Sequence, residues 1–342
     1  MPLSEYMSVC LTDPAHGYYA TRDPFGSAGD FTTAPEISQM FGELLGLALA
    51  QSWTDQGSPA PFTLAEAGPG RGTLMADILR ATARVPGFHD ALRLHLVETS
   101  PTLRDRQRQA LDGYRITFLD DVADLPQAPL WFVANEFFDA LPIRQLRRRG
   151  SGWAEVMVAL SDTGLKLALA PPADIPELAH RLADTAEDDI VEICPALPAI
   201  MHQLADRISR SGGAALIVDY GDWRSLGDTF QAIRAQEYVD PLTAPGDTDL
   251  TAHVDFEALA RAAAPLAAAP PLPQGQFLER LGIAIRAETL ATRLSGQALN
   301  DHIAAYRRLT HPDEMGTLFK VIAMTPPDAP SFPGTGSPQF PQ

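Results

Sequence analysis

Apolar positions along this chain follow two alternating rhythms. Ile37, Met40, Phe41, Leu44, Leu45 and Ala48 recur at three- and four-residue steps, which predicts one packed helix over 35–53. Thr33 or Ala34 stands at its cap position and Pro35 in its first turn. A short apolar run then predicts a strand at 62–67, followed by a helix over 73–84 and a second strand at 92–98. Ser100-Pro101 opens a polar helix running to about 111, with the serine as cap and the proline in the first turn. Further strands are expected at 115–119 and 130–134. The last is an unbroken apolar run, the pattern of a strand buried on both faces. Strand–helix alternation of this kind predicts a parallel sheet with helices on both sides.

The alternation breaks at 143–170. Two period-two segments flank Arg149-Gly-Ser-Gly152 and a third follows Ser161-Asp-Thr-Gly164, which predicts an antiparallel excursion. A helix over 195–210 ends at Gly212-Gly213 and leads into a fifth buried strand, 214–218. Residues 222–250 read as a long polar loop. A helix at 254–264, a Pro/Ala-rich joint, a helical stretch over 276–309 and a last apolar strand at 318–324 complete the pattern. The fold class expected is α/β, with a Rossmann-like sheet, an antiparallel insertion, and N-terminal and late helical additions. The domain reading is an N-terminal covering segment (1–60), a core (61–142 and 213–324), an insertion (143–212) and a disordered Pro/Ser/Gly-rich tail (325–342).

Composition narrows the function. The chain has 342 residues and a formal net charge of −17. Nucleic-acid binding requires cations that displace phosphate counterions, so an acidic chain is a poor nonspecific partner for it. The one basic cluster, Arg144 with Arg147-Arg-Arg149, reads as a solvated hairpin strand. No apolar run approaches the ~20 residues of a membrane span. The first residues lack the basic-then-apolar order of a signal peptide and are not an Arg-rich transit sequence, so the expected location is cytoplasmic. Cys10 and Cys194 are too far apart in sequence for a zinc motif, and no histidine pair has ligand spacing. No metal is expected.

The densest chemical signal is Glu66-Ala-Gly-Pro-Gly-Arg-Gly72. Glycines 68, 70 and 72 leave the first strand and open a helix, so a ligand can lie directly on the backbone. The dinucleotide fingerprint spaces its glycines as G-x-G-x-x-G. Here the third glycine comes one residue early and Thr73 takes its place. Glu66 precedes the first glycine by two, and a carboxylate there suits a cation better than a pyrophosphate. The E-x-G-x-G-x-G order resembles the first motif of class I S-adenosylmethionine (SAM) methyltransferases. It argues against a nicotinamide-linked oxidoreductase.

In open parallel sheets ligands sit beyond the carboxyl ends of the strands. Glu66, Gly68, Gly70 and Gly72 follow the first strand, Glu98 the second, Asp120 and Asp121 the third, Asn135 and Glu136 the fourth, and Asp219 and Tyr220 the fifth. Glu98 is placed to accept the ribose hydroxyls and Asp120 or Asp121 the adenine amino group, with Asp121 favoured. Asn135 and Glu136 lie where the methyl acceptor enters.

Several segments together resemble the MidA family, methyltransferase-fold proteins that include mitochondrial complex I assembly factors with protein-arginine methyltransferase activity. They are His16-Gly-Tyr-Tyr19, residues 29–42, Gly68–Leu74, Ala134–Pro142, Asp219-Tyr-Gly221, Asp240-Pro-Leu242, Asp249–Phe256 and Gly316–Lys320. They extend over nearly the whole chain, and the 29–42 and 249–256 segments are the most specific. The resemblance implies SAM as cofactor, bound at the glycine loop and Glu98, with the 29–42 segment closing over it. It also implies a protein substrate such as a respiratory-complex subunit. At Gln236 this chain departs from the histidine that the resemblance leads one to expect.

An arginine guanidinium has a pKa above ~12, so a carboxylate can orient it by a bidentate grip while the methyl is transferred in line. Glu136 is the leading candidate, with Asp139 three residues on, and His253 is a candidate for late proton transfer or substrate contact. Two other functions remain compatible with the residues: a small-molecule methyltransferase, and a SAM-binding assembly factor acting mainly by partner binding. Oligomeric state is not legible.

Overall fold

The computed structural model describes residues 1–21, 32–234 and 237–336. The chain divides into two compact units that interleave in sequence. One comprises Thr32–Phe137, Pro198–Gly221 and Ala258–Gln342, the other Met1–Phe31, Phe138–Leu197 and Asp222–Glu257.

The first unit is built on a sheet whose central strands are β1 (Phe62–Ala67), β2 (Leu92–Val97), β3 (Ile116–Leu119) and β4 (Leu130–Asn135). Across it the order runs Ala267–Ala268, Phe319–Thr325, Gly213–Asp222, β4, β1, β2, β3. The pairs from Gly213–Asp222 through β3 are parallel, and Phe319–Thr325 is antiparallel. Every residue of β1 and β4 is buried, as the unbroken apolar run over 130–134 predicts for β4; β1 is buried although Thr63 and Glu66 interrupt its run. Register fixes the rim: Ala67 pairs with Val97 and with Ala134, and Val97 pairs with Leu119. The residues that leave β1 to β4 at their carboxyl ends therefore emerge at one level.

The helix expected over 35–53 is two helices. Ala34–Ile37 ends at Ser38, which has an extended backbone and whose hydroxyl caps Gln39–Asp55 by accepting from the Met40 N–H at 3.3 Å. A side-chain cap competes with helix continuation here, and an apolar stripe cannot reveal it. Gln39–Asp55 crosses the Thr73–Thr82 helix very closely. A Cβ built on Gly42 would lie 2.5 Å from the Asp77 Cβ, and one on Gly46 would lie 2.8 Å from the Ile78 Cα. Behind this crossing Trp53, Phe62, Phe88 and Trp131 pack ring against ring with centroids 4.9–5.5 Å apart. The buried Trp131 indole N–H is satisfied by the Ser52 hydroxyl at 3.1 Å.

Two late expectations are also corrected. The stretch over 276–309 is three helices, Gln274–Arg280, Ile283–Ala291 and Gly296–Thr310, because glycines at 282 and 296 take positive φ between them. The disordered tail does not begin at 325. Thr325 is still in a strand, and Phe332 is buried in the same hydrophobic core as Phe277 and Leu281. Residues 337–342 lie outside the described residues.

The second unit carries the expected antiparallel excursion. Strands Gly164–Leu169, Gly152–Ser161, Arg144–Arg149 and Ile190–Ile193 form a four-stranded sheet in that order. The basic cluster lies on it: Arg144 bridges Glu155 at 2.8 Å, and Arg149 pairs with Asp188. The 222–250 stretch is not all loop. Gln231–Arg234, Glu237–Val239 and Asp249–Thr251 make a small antiparallel sheet. These strands are short, and Gln231–Arg234 pairs on both sides, with Glu237–Val239 and with Asp249–Thr251. Helix Leu3–Thr12 shares a core with Val158 and Leu250.

Replacing Gly46 with Val should lower stability by ~2–3 kcal/mol, because the added methyl groups meet the Ile78 backbone. Urea denaturation checks this; an unchanged midpoint would show that the two helices part without cost.

Candidate active site

Gly68, Gly70 and Gly72 all adopt positive φ, at 63°, 52° and 84°. Residues with a Cβ rarely take this backbone path. The loop is also tightly bounded: a Cβ on Gly68 would lie 3.0 Å from the Phe137 ring, and one on Gly72 would lie 3.4 Å from Gln107. Gly72 then caps the Thr73–Thr82 helix.

Glu66, at the end of β1, is 2% exposed, and its Oε2 has no hydrogen-bond partner among the described residues. Burial pushes its carboxyl up to about 8. Such a group is an acceptor waiting for a cation. Glu98 is held on both oxygens: Oε1 accepts the Ser100 N–H at 2.8 Å, and Oε2 accepts from the Gln107 Nε2 at 3.2 Å. Burial still raises its pKa against those hydrogen bonds.

Gln107 was not apparent from sequence. It is fully buried, and its Nε2 also donates to the Gly70 carbonyl at 2.7 Å. One amide thus ties the glycine loop to the Glu98 carboxylate. The available signal was a polar residue four positions after the buried Leu103, on the inward stripe of its helix.

The third strand's acids are engaged locally. Asp120 pairs with Arg104 at 2.7 Å, and Asp121 caps the turn Val122–Asp124 by accepting from the Ala123 N–H. After β4, Asn135 is 7% exposed and its Oδ1 has no partner among the described residues. Its Nδ2 donates to Glu136 Oε1 at 2.9 Å. Glu136 has φ 52°, a strained backbone for a residue with a side chain. The same Oε1 accepts the Ala34 N–H at 3.2 Å, while Glu36 accepts from Thr73 in the first turn after the glycines. The 34–36 segment is therefore tied both to the glycine helix and to Glu136. Residues 29–31 and Gln236 lie outside the described residues.

Asp139 and His253 belong to the second unit. Asp139 is 5% exposed, and its carbonyl accepts the Ala252 N–H at 3.0 Å. The His253 N–H donates to Thr229 Oγ1 at 2.8 Å, and that hydroxyl donates to the buried Glu192. Tyr19 and Asp249 are residues to which sequence reasoning gave no role. The Tyr19 hydroxyl donates to both Asp249 oxygens, at 2.8 and 3.0 Å. Burial first, then Asp249 and Asp139, hold this phenol well above its ordinary pKa.

A cavity of about 700 Å³, lined by Thr63, Arg93, His95, Tyr114 and Thr117 among others, lies beside the amino-terminal halves of β1 to β3. It is at the other end of these strands from the glycines. The cofactor fits the carboxyl end instead, where a buried carboxyl and a buried amide oxygen lack donors beside a bare backbone loop. An ammonium would supply the donors those acceptors lack and a sulfonium would add positive charge beside the carboxyl, and a pyrophosphate would do neither.

A family model for S-adenosyl-L-methionine-dependent methyltransferases matches residues 44–271. The chain belongs to this methyltransferase family. Among similar proteins, "Protein arginine methyltransferase NDUFAF7, mitochondrial" from Xenopus tropicalis is 37% identical, covering 95% of this chain and 82% of its own length. The Homo sapiens protein of the same name is 36% identical over 95% of this chain and 80% of its own length. A Burkholderia thailandensis methyltransferase solved with S-adenosyl-homocysteine bound superposes with a TM-score of 0.84 at 29% identity, covering 99% of this chain and 92% of that one.

These likenesses establish the α/β methyltransferase fold, SAM as cofactor and methyl transfer as the activity, as the glycine loop and the MidA resemblance lead one to expect. They overturn the cytoplasmic expectation: the animal relatives are named mitochondrial. The composition of the first residues carries no compartment here. Among the described residues no helix is long and apolar enough to cross a membrane.

Two predictions follow from the buried acids of this methyltransferase. Below pH ~4.5 Glu66 is protonated in both folded and unfolded chains. Between ~4.5 and about 8 only the unfolded chain releases the proton, so ligand-free stability falls with rising pH across that window and levels above it. Glu66→Gln removes this slope. The variant should gain ~4 kcal/mol over the parent at pH 8, compared with pH 4, and bind SAM at least ~10-fold more weakly. Parallel urea melts at the two pH values, with calorimetric titration, check both; identical pH slopes would refute the assignment.

Gln107→Glu sets a second carboxylate against Glu98 and the Gly70 carbonyl. SAM dissociation constants should rise about 10- to 100-fold at pH 7.5 and recover partly near pH 5, where the pair shares a proton. Affinity unaltered at both pH values would remove Gln107 from the site.

Proposed function

We propose that this methyltransferase transfers the SAM methyl group to a guanidinium nitrogen of an arginine in a protein partner. A respiratory-complex subunit is the acceptor class that the MidA resemblance favours. The observation that carries the reading is the likeness to relatives named protein arginine methyltransferase over 95% of the chain. The strained acid Glu136 just beyond β4 supports it chemically.

SAM supplies an electrophilic methyl on a sulfonium. In this reading the backbone of Gly68, Gly70 and Gly72 bears the cofactor, Glu66 and Asn135 accept from its cationic end, and Glu98 takes the ribose hydroxyls. Gln107 keeps Glu98 oriented. Asp120 or Asp121 receives the adenine amino group, for which Asp121 would have to share its capping carboxylate. Glu136 grips the guanidinium, whose charge and planar fork match a carboxylate. Its backbone strain and its hydrogen bonds from Asn135 and Ala34 hold the carboxylate in one place before substrate arrives.

The test uses purified protein, SAM labelled in the methyl group and a mitochondrial or bacterial lysate. Label should enter protein and be recovered after hydrolysis as methylarginine. Glu136→Gln should reduce transfer by at least ~100-fold and leave the SAM dissociation constant within ~3-fold. Label recovered in small molecules or in another side chain would sink the arginine reading. Full partner maturation by the Glu136→Gln variant would favour assembly by binding instead.

A further inference from the structure

The four-stranded antiparallel sheet ends on the strand Gly164–Leu169, and among the described residues nothing pairs with its outer edge. Leu165, Leu167 and Leu169 are 36%, 45% and 43% exposed, and neighbouring Leu160 is 82% exposed. Residues directly opposite in a sheet share a face. Leu160, Val158 and Val156 pair with Leu165, Leu167 and Leu169 in turn. Val158 is buried in a core with Leu3, Met7 and Leu11, so the exposed leucines continue that core outward to an open edge. Natural edge strands are guarded by charge, proline or a covering segment. This one carries a single charge, Lys166, and it points to the opposite face.

Hydrogen-bond phase shows what the edge can accept. The Ala170 N–H donates inward to Glu155. In the same phase Ala168 and Lys166 bond inward, to Met157 and Ala159. The N–H and C=O groups of Leu165, Leu167 and Leu169 therefore point out. Pro171 and Pro172, which lack a donor, end the pairing frame just beyond.

We propose that this strand is the contact through which two copies of the chain associate, edge to edge and antiparallel about a two-fold axis at Leu167. In that register Leu167 pairs with its own copy, and Leu165 pairs with Leu169 of the other chain. Each outward N–H meets an outward C=O. The two leucine rows merge into one apolar patch, and Lys166 faces the copy's Ala168 rather than its Lys166. A contact that is self-complementary in hydrogen bonds and apolar surface, with no like charges directly opposed, is what isologous pairing requires. A strand from another protein would have no reason to find this symmetry.

The full-length chain should sediment at twice its 36.9 kDa mass. Leu167→Lys puts two ammonium groups at the axis and should give a monomer with unchanged melting temperature and SAM affinity, since Leu167 is half exposed. Leu167→Cys should form a covalent dimer under mild oxidant. Its sulfurs would stand on a hydrogen-bonded pair with Cα atoms about 5.5 Å apart, within disulfide reach. Lys166→Cys and the parent chain should not cross-link. A monomer at ~100 μM, or a dimer that survives Leu167→Lys without Leu167→Cys cross-linking, would overturn the proposal. So would a monomeric parent whose Leu167→Lys variant loses only transfer to protein, which would assign the strand to substrate docking.

Discussion

The parallel register of β1 with β2 and β4 is the constraint on which the rest of the methyltransferase unit depends. Ala67 stands level with Val97 and with Ala134, so three chain segments leave the sheet at the same height. A slip of one residue would turn the Glu66 side chain to the other face of the sheet. The pairing is secured by burial on both faces: Leu64, Ala65, Phe132 and Val133 are each fully inaccessible to solvent. Apolar packing thus sets, to within one residue, where the acids of the rim emerge.

That packing has a cost at Glu66. A carboxyl with an unpartnered oxygen in the core opposes folding whenever it must ionise, and its rise to about 8 is the measure of that opposition. Near neutral pH the ligand-free protein keeps the proton that the unfolded chain has released, so most of the penalty is already present there. A cationic ligand restores the charged form and recovers the energy as affinity. Stability and binding are therefore opposed at this one side chain. Glu136 repeats the pattern in backbone terms, with positive φ tolerated at the point where the acceptor would be gripped.

What sequence revealed and what it hid divide along physical lines. β1 and β4 were legible because strands buried on both faces are mostly apolar, and the three glycines were legible because only they tolerate that backbone. The break at Ser38 was not, since a side-chain cap leaves the apolar stripe intact. The short strands in 222–250 were hidden because segments of three or four residues are too short to carry a period-two pattern. Phe332 was masked by a Pro/Gly/Ser composition that describes its neighbours better than itself. At the site, Glu66 and Glu98 follow strands and were found. Gln107 sits in mid-helix and acts through carbonyl and carboxylate partners far away in sequence, Gly70 and Glu98.

The close helix crossing links these observations. Gly42 and Gly46 let the Gln39–Asp55 helix lie against Thr73–Thr82 at a separation that no side chain would permit. The helix that Gly72 caps is thereby held along Leu74, Asp77 and Ile78. The same crossing carries the preceding turn, Ala34–Ile37, to the place where Glu36 meets Thr73 and Ala34 meets Glu136. A glycine loop needs such support, because its own residues contribute no side chains to hold it and lose the most entropy on ordering. The backbone freedom that lets the loop cradle a ligand is usable only because two glycines elsewhere bring a rigid helix close enough to remove it.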